Sequence, residues 1–299
     1  MDTDHATDPA TEAFVAHRNL LFTVAYEMLS SAADAEDVLQ ETWLRWSQVD
    51  PGQVEDARAY LVRITTRQSL NRLRTLKRRK ESYVGPWLPE PLLTTPDVAE
   101  NVELAESMSM ALMLVLETLS PTERAVFVLR EVFDMGYDDI AAAVDKTPAA
   151  VRQIAHRARG HVDARRPRTT ATPAQAKAAL ESFQRAIETG DPQGLLDVLA
   201  PEVVLLGDGG GVKRAAPRPV VGAEKVARFM AAGLRKVGTT LTTEATTING
   251  NPALLFRLDG EIEGVMAFRI EEGRFTGLYF VRNPEKLTRV ESATTLSLG

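Results

Sequence analysis

The stretch LSPTERAVFVLREVFDMGYDDIAAAVDKTPAAVRQIAHRAR, Leu119 to Arg159, decides the reading of this chain, because capping chemistry marks its helix boundaries. Ser120 is placed to cap a helix beginning at Pro121, and Glu123 stands where a capping box closes. Ala125, Val126, Leu129, Val132 and Phe133 then recur at helical spacing until Gly136 ends or bends the segment. A short second helix carries Tyr137, Ile140, Ala141 and Val144 on one face. After an Asp145-Lys146 turn, Thr147 and Pro148 repeat the cap-plus-proline start. In the third helix Val151, Ile154, Ala155 and Ala158 form the buried stripe, while Arg152, Gln153, His156, Arg157 and Arg159 occupy the other face. Small apolar residues inward with arginine, glutamine and histidine outward suit a helix lying in the major groove of DNA. The plainer alternative is a helical hairpin with a solvated basic face.

The net charge of −6 conceals an uneven distribution, and distribution decides where a polyanion docks. Between Ala57 and Lys80 stand Arg58, Arg63, Arg67, Arg72, Arg74, Lys77, Arg78, Arg79 and Lys80, with no acid among them. Lys146 to Arg166 is again basic, with Asp163 its only acid, while acids gather in Asp34–Glu41 and Glu81–Glu106. This pattern predicts two nucleic-acid contacts and a separate protein-facing patch.

At 299 residues, 44% hydrophobic and 25% charged, the chain has the composition of a soluble protein of two or three domains. It contains no cysteine, which excludes disulfides and thiolate metal sites and fits a reducing cytoplasm. The acidic start MDTDHATDPATEAF has no apolar core of the kind a secretory signal needs, and no run reaches the length of a membrane span. The cytoplasm is therefore the expected location, with no membrane contact. No histidine cluster or paired-acid spacing suggests a metal, and no cofactor is expected.

Outward from the helix-turn-helix, the first block is helical. Phe14, Leu21, Val24, Ala25 and Met28 precede a Ser30-Ser31 break, and DAEDVLQETWLRW opens a helix that Asp34 is placed to cap. There Val38, Leu39, Thr42 and Trp46 face inward and Asp37 and Glu41 share the outer face. The arginine-rich helix AYLVRITTRQSLNRLRTLKRR follows. The linker ESYVGPWLPEPLLTTPDVAE holds prolines that forbid a regular helix, and Ser107–Leu119 reads as a core helix leading into the helix-turn-helix. Beyond PRTTATP the character changes: two helical patterns, the run VVLLGDGGG, the helix AEKVARFMAAGLRK, then strands in TTLTTEATTI, PALLFRLDG, GVMAFRI and FTGLYFVRN, with EEGR turning the last hairpin. Helices first and antiparallel strands last predict an α+β domain.

The order DAEDVLQETWLRW, AYLVRITTRQSLNRLR, LSPTERAVFVLRE and TPAAVRQIAHRAR resembles the extracytoplasmic-function sigma factors of the sigma-70 family. The tail, with its Gly190–Leu199 run, is similar to a SnoaL-like domain of the NTF2 superfamily. A sigma-factor subgroup carries this extension with a WLPEPL-type linker, a DGGGK-type loop and an NPDKL-type end. The resemblance implies a multidomain chain: two all-α sigma domains, a region 2 helical bundle (8–82) and a region 4 helix-turn-helix (105–166), joined by a linker (83–104) and followed by an α+β SnoaL-like cone-fold domain (173–289).

It further implies partners and sites. Core RNA polymerase would be met through its β′ clamp and β flap, the clamp by Asp34, Glu36, Asp37 and Glu41. Arg63, Thr66, Arg67, Gln68, Asn71 and Arg74 would hold the −10 strand of promoter DNA, a single strand needing charge plus base contacts. Arg152, Gln153, His156, Arg157 and Arg159 would read the −35 element. The regulatory motifs stand here as Trp87, Leu88, Pro89, Glu90, Pro91 and Leu92, as Asp208, Gly209, Gly210 and Gly211 with Lys213, and as Asn283, Pro284, Glu285, Lys286 and Leu287. Val212 before the lysine and Glu285 for aspartate depart from the subgroup pattern. The expected function is promoter-directed initiation modulated by the tail, which is not expected to be an enzyme and for which an unknown small ligand is a candidate partner. Two other readings fit parts of the chain: a helix-turn-helix regulator with a ligand-sensing tail, and a DNA-tethered SnoaL-like enzyme.

Overall fold

Local caps set the first helices in the computed structural model, which describes residues 8–95, 101–165, 171–237 and 241–298. Asp8 accepts from the Thr11 amide to start α1 (Pro9–Leu29), and Ser30, in the left-handed region, ends it. The cap of α2 (Ala32–Trp46) is Ser31, which accepts from the Asp34 amide; this corrects the expectation for Asp34. Asp34 sits inside the first turn and is buried, where its carboxylate pairs instead with Arg72 of α3 (Ala57–Glu81) at 2.8 Å. Trp46 donates its indole N–H to the Ala10 carbonyl at 2.7 Å, and the Thr42 and Thr65 hydroxyls meet at 3.3 Å between α2 and α3.

A short helix, α4 (Val102–Ser107), precedes the helix expected over Ser107–Leu119, which is itself shorter, α5 (Met110–Leu116). Ser109 interrupts them, accepting from the Leu112 amide at 3.2 Å and so restarting the helix rather than continuing it. The capping box at Ser120 and Glu123 forms as read, opening α6 (Pro121–Phe127), which is continued by a turn of π geometry, Val128–Val132. Gly136 is the N-cap of α7 (Tyr137–Val144), and Thr147 caps α8 (Pro148–Asp163).

The tail builds α9 (Pro173–Thr189), α10 (Pro192–Val198), β1 (Leu199–Asp208), β2 (Val220–Val221), α11 (Ala223–Val237), β3 (Leu241–Ile248), β4 (Asn251–Leu258), β5 (Glu261–Glu271) and β6 (Arg274–Val281). They form one sheet in the order β2-β1-β6-β5-β4-β3. The last strands run antiparallel as expected, whereas β1 joins β6 in parallel.

Both faces of the sheet are covered. Leu254, Phe256, Met266 and Leu278 pack with Phe183 of α9 and Val226 of α11. Their alternates Leu255, Val265, Ala267 and Tyr279 pack with Leu88 of the linker, Met110 of α5 and Leu287. The register shift between Arg269 and Ile270 resets this parity, so Phe275 and Leu278, three apart, share the helical face.

Among the described residues the chain divides into two compact units. One holds the residues up to Arg79 with Leu116–Ala164 and the last residues from Thr295; the other holds Lys80–Val115 with the tail to Thr294. Asn249 donates to the Met108 carbonyl at 3.1 Å and Asn251 to the Ala105 carbonyl at 2.7 Å, so α4 and most of α5 belong with the sheet. The expected linker residues 96–100, the boundary at 166 and strand residues 239–240 lie outside the described residues.

Candidate nucleic-acid interface and linker latch

The recognition face of α8 is built as its sequence suggests. Val151, Ala155, Ala158 and Val162 are buried, and Arg152, Gln153, His156, Arg157 and Arg159 are all exposed. Ile154 is half-buried. Arg152 lies 5.5 Å from the centre of the Tyr137 ring, while Arg159 is held by Glu131 at 2.6 Å.

Along α3 the structure separates the expected residues. Arg67, Asn71 and Arg74 are exposed, and Arg63, half-buried, lies 4.7 Å over the Tyr60 ring. Thr66 and Gln68 are buried, which corrects their placement on an open strand-reading surface in this conformation. The reason is helical phase: Thr65, Thr66 and Ser69 lie on the buried side of α3, where Thr65 meets Thr42 of α2, and the buried Gln68 amide sits beside Glu41 and Arg45.

The acidic patch is partly engaged from within. Arg72 bonds both Asp34 and Asp37, and Arg18 holds Glu36 at 2.8 Å. Burial alone would lower the Arg72 guanidinium, but Asp34 and Asp37 hold it above its ordinary value. Asp37 and Glu41 remain exposed.

Two contacts that the sequence reading missed tie helices within this unit. Arg67 donates to the Ala142 carbonyl of α7 at 2.8 Å. Arg124, 2% exposed, donates to the Glu27 carbonyl at 2.9 Å, to the Ser30 hydroxyl at 2.6 Å and to Glu117 at 2.9 Å.

In the other unit the three tail and linker motifs meet at Asp208, which is fully buried. Its carboxylate accepts from Lys286 Nζ at 2.7 Å, the Leu88 amide at 2.9 Å, the Tyr83 hydroxyl at 2.5 Å and the Gly210 amide at 3.1 Å. Lys286 also donates to the Leu88 carbonyl at 2.6 Å and lies 3.4 Å from the centre of the Trp87 ring. Burial lowers the Lys286 ammonium to about 8 against the opposing pull of Asp208. Burial, then the Asp208 bond, push the Tyr83 hydroxyl well above its ordinary value.

The remaining motif residues support this centre. Asn283 donates to the Tyr83 oxygen at 2.8 Å and caps the turn Pro284–Lys286; Glu285 is exposed and Leu287 packs under the sheet. A side chain at Gly209 would stand 2.0 Å from the Lys213 carbonyl oxygen, and one at Gly210, at φ +64°, 2.4 Å from the Asn283 amide. Gly211 lies beside Val84, Val212 is exposed, and Lys213 pairs with Glu263 at 2.8 Å. Leu88, Pro89, Glu90, Pro91 and Leu92 are buried and Trp87 half-buried. Leu92 and Asn249 exchange hydrogen bonds at 2.8 and 2.9 Å, stitching the linker to the β3–β4 turn.

Tyr83, Asn249, Arg282 and Glu263 escaped the sequence reading. The Asn249-Gly250 pair is a hairpin-turn signal, and Tyr83 stands in the quoted linker, but no local pattern announces their distant partners. Among the described residues no group of histidines and acids is placed to hold a metal ion, and no helix is long and apolar enough to cross a membrane.

Comparison with known proteins agrees with this geometry. The Sigma-70 region 2 model matches residues 13–79 and the Sigma-70, region 4 model matches residues 109–162. The chain is 34% identical to the ECF RNA polymerase sigma factor SigJ of Mycobacterium tuberculosis, covering 92% of each chain. It is 31% identical to the probable ECF RNA polymerase sigma factor SigI of the same organism, over 94% of this chain and 95% of that one. The crystal structure of the M. tuberculosis SigJ superposes with a TM-score of 0.76 at 31% identity, covering 93% of this chain and 98% of that one.

Proposed function

The chain belongs to the extracytoplasmic-function sigma factors of the sigma-70 family and directs core RNA polymerase to promoters, and from that premise we propose how its residues divide the work. Asp37 and Glu41, with Glu36, present the anionic face for the polymerase clamp, and the Arg72 and Arg18 pairs are exchanged for partner cations on docking. Arg63, Arg67, Asn71 and Arg74 track the −10 strand, while Thr66 and Gln68 serve after α3 parts from α2. Arg152 and Gln153, near the N-terminus of α8, read −35 base edges; His156 and Arg157 hold backbone phosphates. The protein acts in the cytoplasm, where its polymerase is.

The observation that carries the regulatory part of this reading is the burial of Asp208 beneath the linker, with Tyr83, Leu88 and Lys286 converging on it. A linker held by the tail sets how far the helices on either side of it can part, so the tail governs initiation in cis. We propose that the tail acts through these contacts rather than by catalysis; the carboxylate among its described cavity-lining residues, Glu263, is engaged by Lys213 and Arg282.

The test is promoter-dependent run-off transcription by core polymerase with the full chain and with Asp208→Asn. The expected outcome is one start site for both with a several-fold difference in yield. Equal yields would remove the tail from control of initiation. A truncation is less suitable, because removing the tail uncovers Leu88, Leu92 and Met110.

A further inference from the structure

The helical side of the sheet encloses a cavity of about 570 Å³, within the range of small-molecule sites. Phe229, Met230, Phe256 and Phe280 give it an apolar wall, and among the described lining residues the charged ones are Arg214, Glu263 and Arg282, which hydrogen bonds bring together. Water beside the apolar wall finds few partners there.

The polar end is more donor than acceptor. Arg282 donates through Nη1 to the Arg214 carbonyl and through Nη2 to Glu263, and its Nε is buried without a partner. Lys213 takes the other Glu263 oxygen at 2.8 Å. Burial alone would raise the Glu263 carboxyl, but the bonds and charges of Lys213 and Arg282 hold it below the usual range, so it stays ionised. Arg214, Arg282 and Lys213 against Glu263 leave an excess of positive charge. A small rotation of Arg282 toward an acceptor in the cavity would relieve its orphaned N–H.

The same residues adjoin the latch. Gly207 lines the cavity and precedes Asp208; Arg282 lines it and precedes Asn283, and the Arg282 amide donates to the Asp208 carbonyl at 2.7 Å. A ligand pressing on Arg282 therefore acts one residue from each of the groups that hold Tyr83.

We propose that this cavity binds an apolar small molecule carrying a single carboxylate, its hydrocarbon body against Phe229, Met230, Phe256 and Phe280 and its carboxylate at Arg282 and Arg214, and that occupancy alters the linker latch. The second clause rests on the tail governing the linker; the first stands without it.

The experiment titrates the full-length protein with 1-pyrenebutyrate, its neutral counterpart 1-pyrenebutanol, and the cation 1-pyrenemethylammonium, by pyrene fluorescence. Saturable binding of the carboxylate at least about tenfold tighter than the alcohol is expected, with the cation weakest. Arg282→Gln and, as a variant that leaves the Glu263 pairs intact, Arg214→Gln should erase that preference. Gly233→Phe adds a side chain where a Cβ meets no atom within 4 Å on the cavity wall, and it should abolish binding. Equal affinity for the three probes, or binding undisturbed by Gly233→Phe, overturns the site. Hydrogen exchange at the Leu88 and Leu92 amides reports the latch. A several-fold change on saturation supports the coupling, and none overturns it. Run-off transcription without probe is scored separately, so its failure would count against the initiation function while leaving the ligand site standing.

Discussion

Asp208 and Lys286 are charges taken out of water, so their value lies in what each does for the other. Removing one partner of a buried, hydrogen-bonded pair leaves the other uncompensated, at a cost of about 3–5 kcal/mol. Asp208→Asn, which leaves the Lys286 ammonium facing an amide, should lower the stability of the sheet-containing unit by about that much in denaturant unfolding. The lysine also titrates at accessible pH. Its ammonium falls from an ordinary 10.5 to about 8, so between those values the unfolded chain binds the extra proton. Its contribution to stability therefore rises with pH through that window, and losing its charge does not unfold the protein. What it loses is the cation over the Trp87 ring, so Trp87 fluorescence, isolated by subtracting Trp87→Phe, should change with a midpoint near pH 8. A flat profile from pH 7 to 9, or the same midpoint in Lys286→Met, would contradict this.

The elements differ in how plainly the sequence announces them. The caps at Ser120 and Thr147 and the apolar stripe of α8 are local signals, and the structure follows them closely. The exposed basic face of α8 is legible for the same reason. Arg152→Ala should cost about 1–3 kcal/mol and relax preference at one −35 position, whereas Arg157→Ala should weaken all sequences alike and reduce the salt slope by about 1. Both are measured by competition between duplexes for the polymerase-bound protein. Thr66 and Gln68 mark the limit of such reading. A polar residue on a basic helix gives no sign of its side, and the partners that draw them inward lie on another helix. The latch is less legible still: the motif residues are visible by resemblance, but Asp208 and Leu88 are 120 positions apart, and no periodicity links them.

At the scale of the whole molecule, the decisive fact is that the two nucleic-acid helices belong to one compact unit. Arg67 is bonded to the Ala142 carbonyl, and Arg124 to the end of α1. Promoter elements some 25 base pairs apart are separated by roughly 85 Å at 3.4 Å per pair, so α3 and α8 cannot serve both while so joined. On the proposed division of work between α3 and α8, this unit opens on polymerase. Arg124→Ala, which leaves buried acceptors unmatched at about 1–3 kcal/mol each, should favour opening and raise the occupancy of polymerase at limiting protein. A gel-shift titration of core enzyme checks it, and tighter packing or unchanged binding would argue against opening as the gate. Control of initiation by the tail is decided by run-off transcription by core polymerase with the full-length chain beside Asp208→Asn. A discrete promoter-specific transcript is expected from both proteins, with the same start and a several-fold difference in amount. No transcript from either, or identical amounts from both, would contradict it.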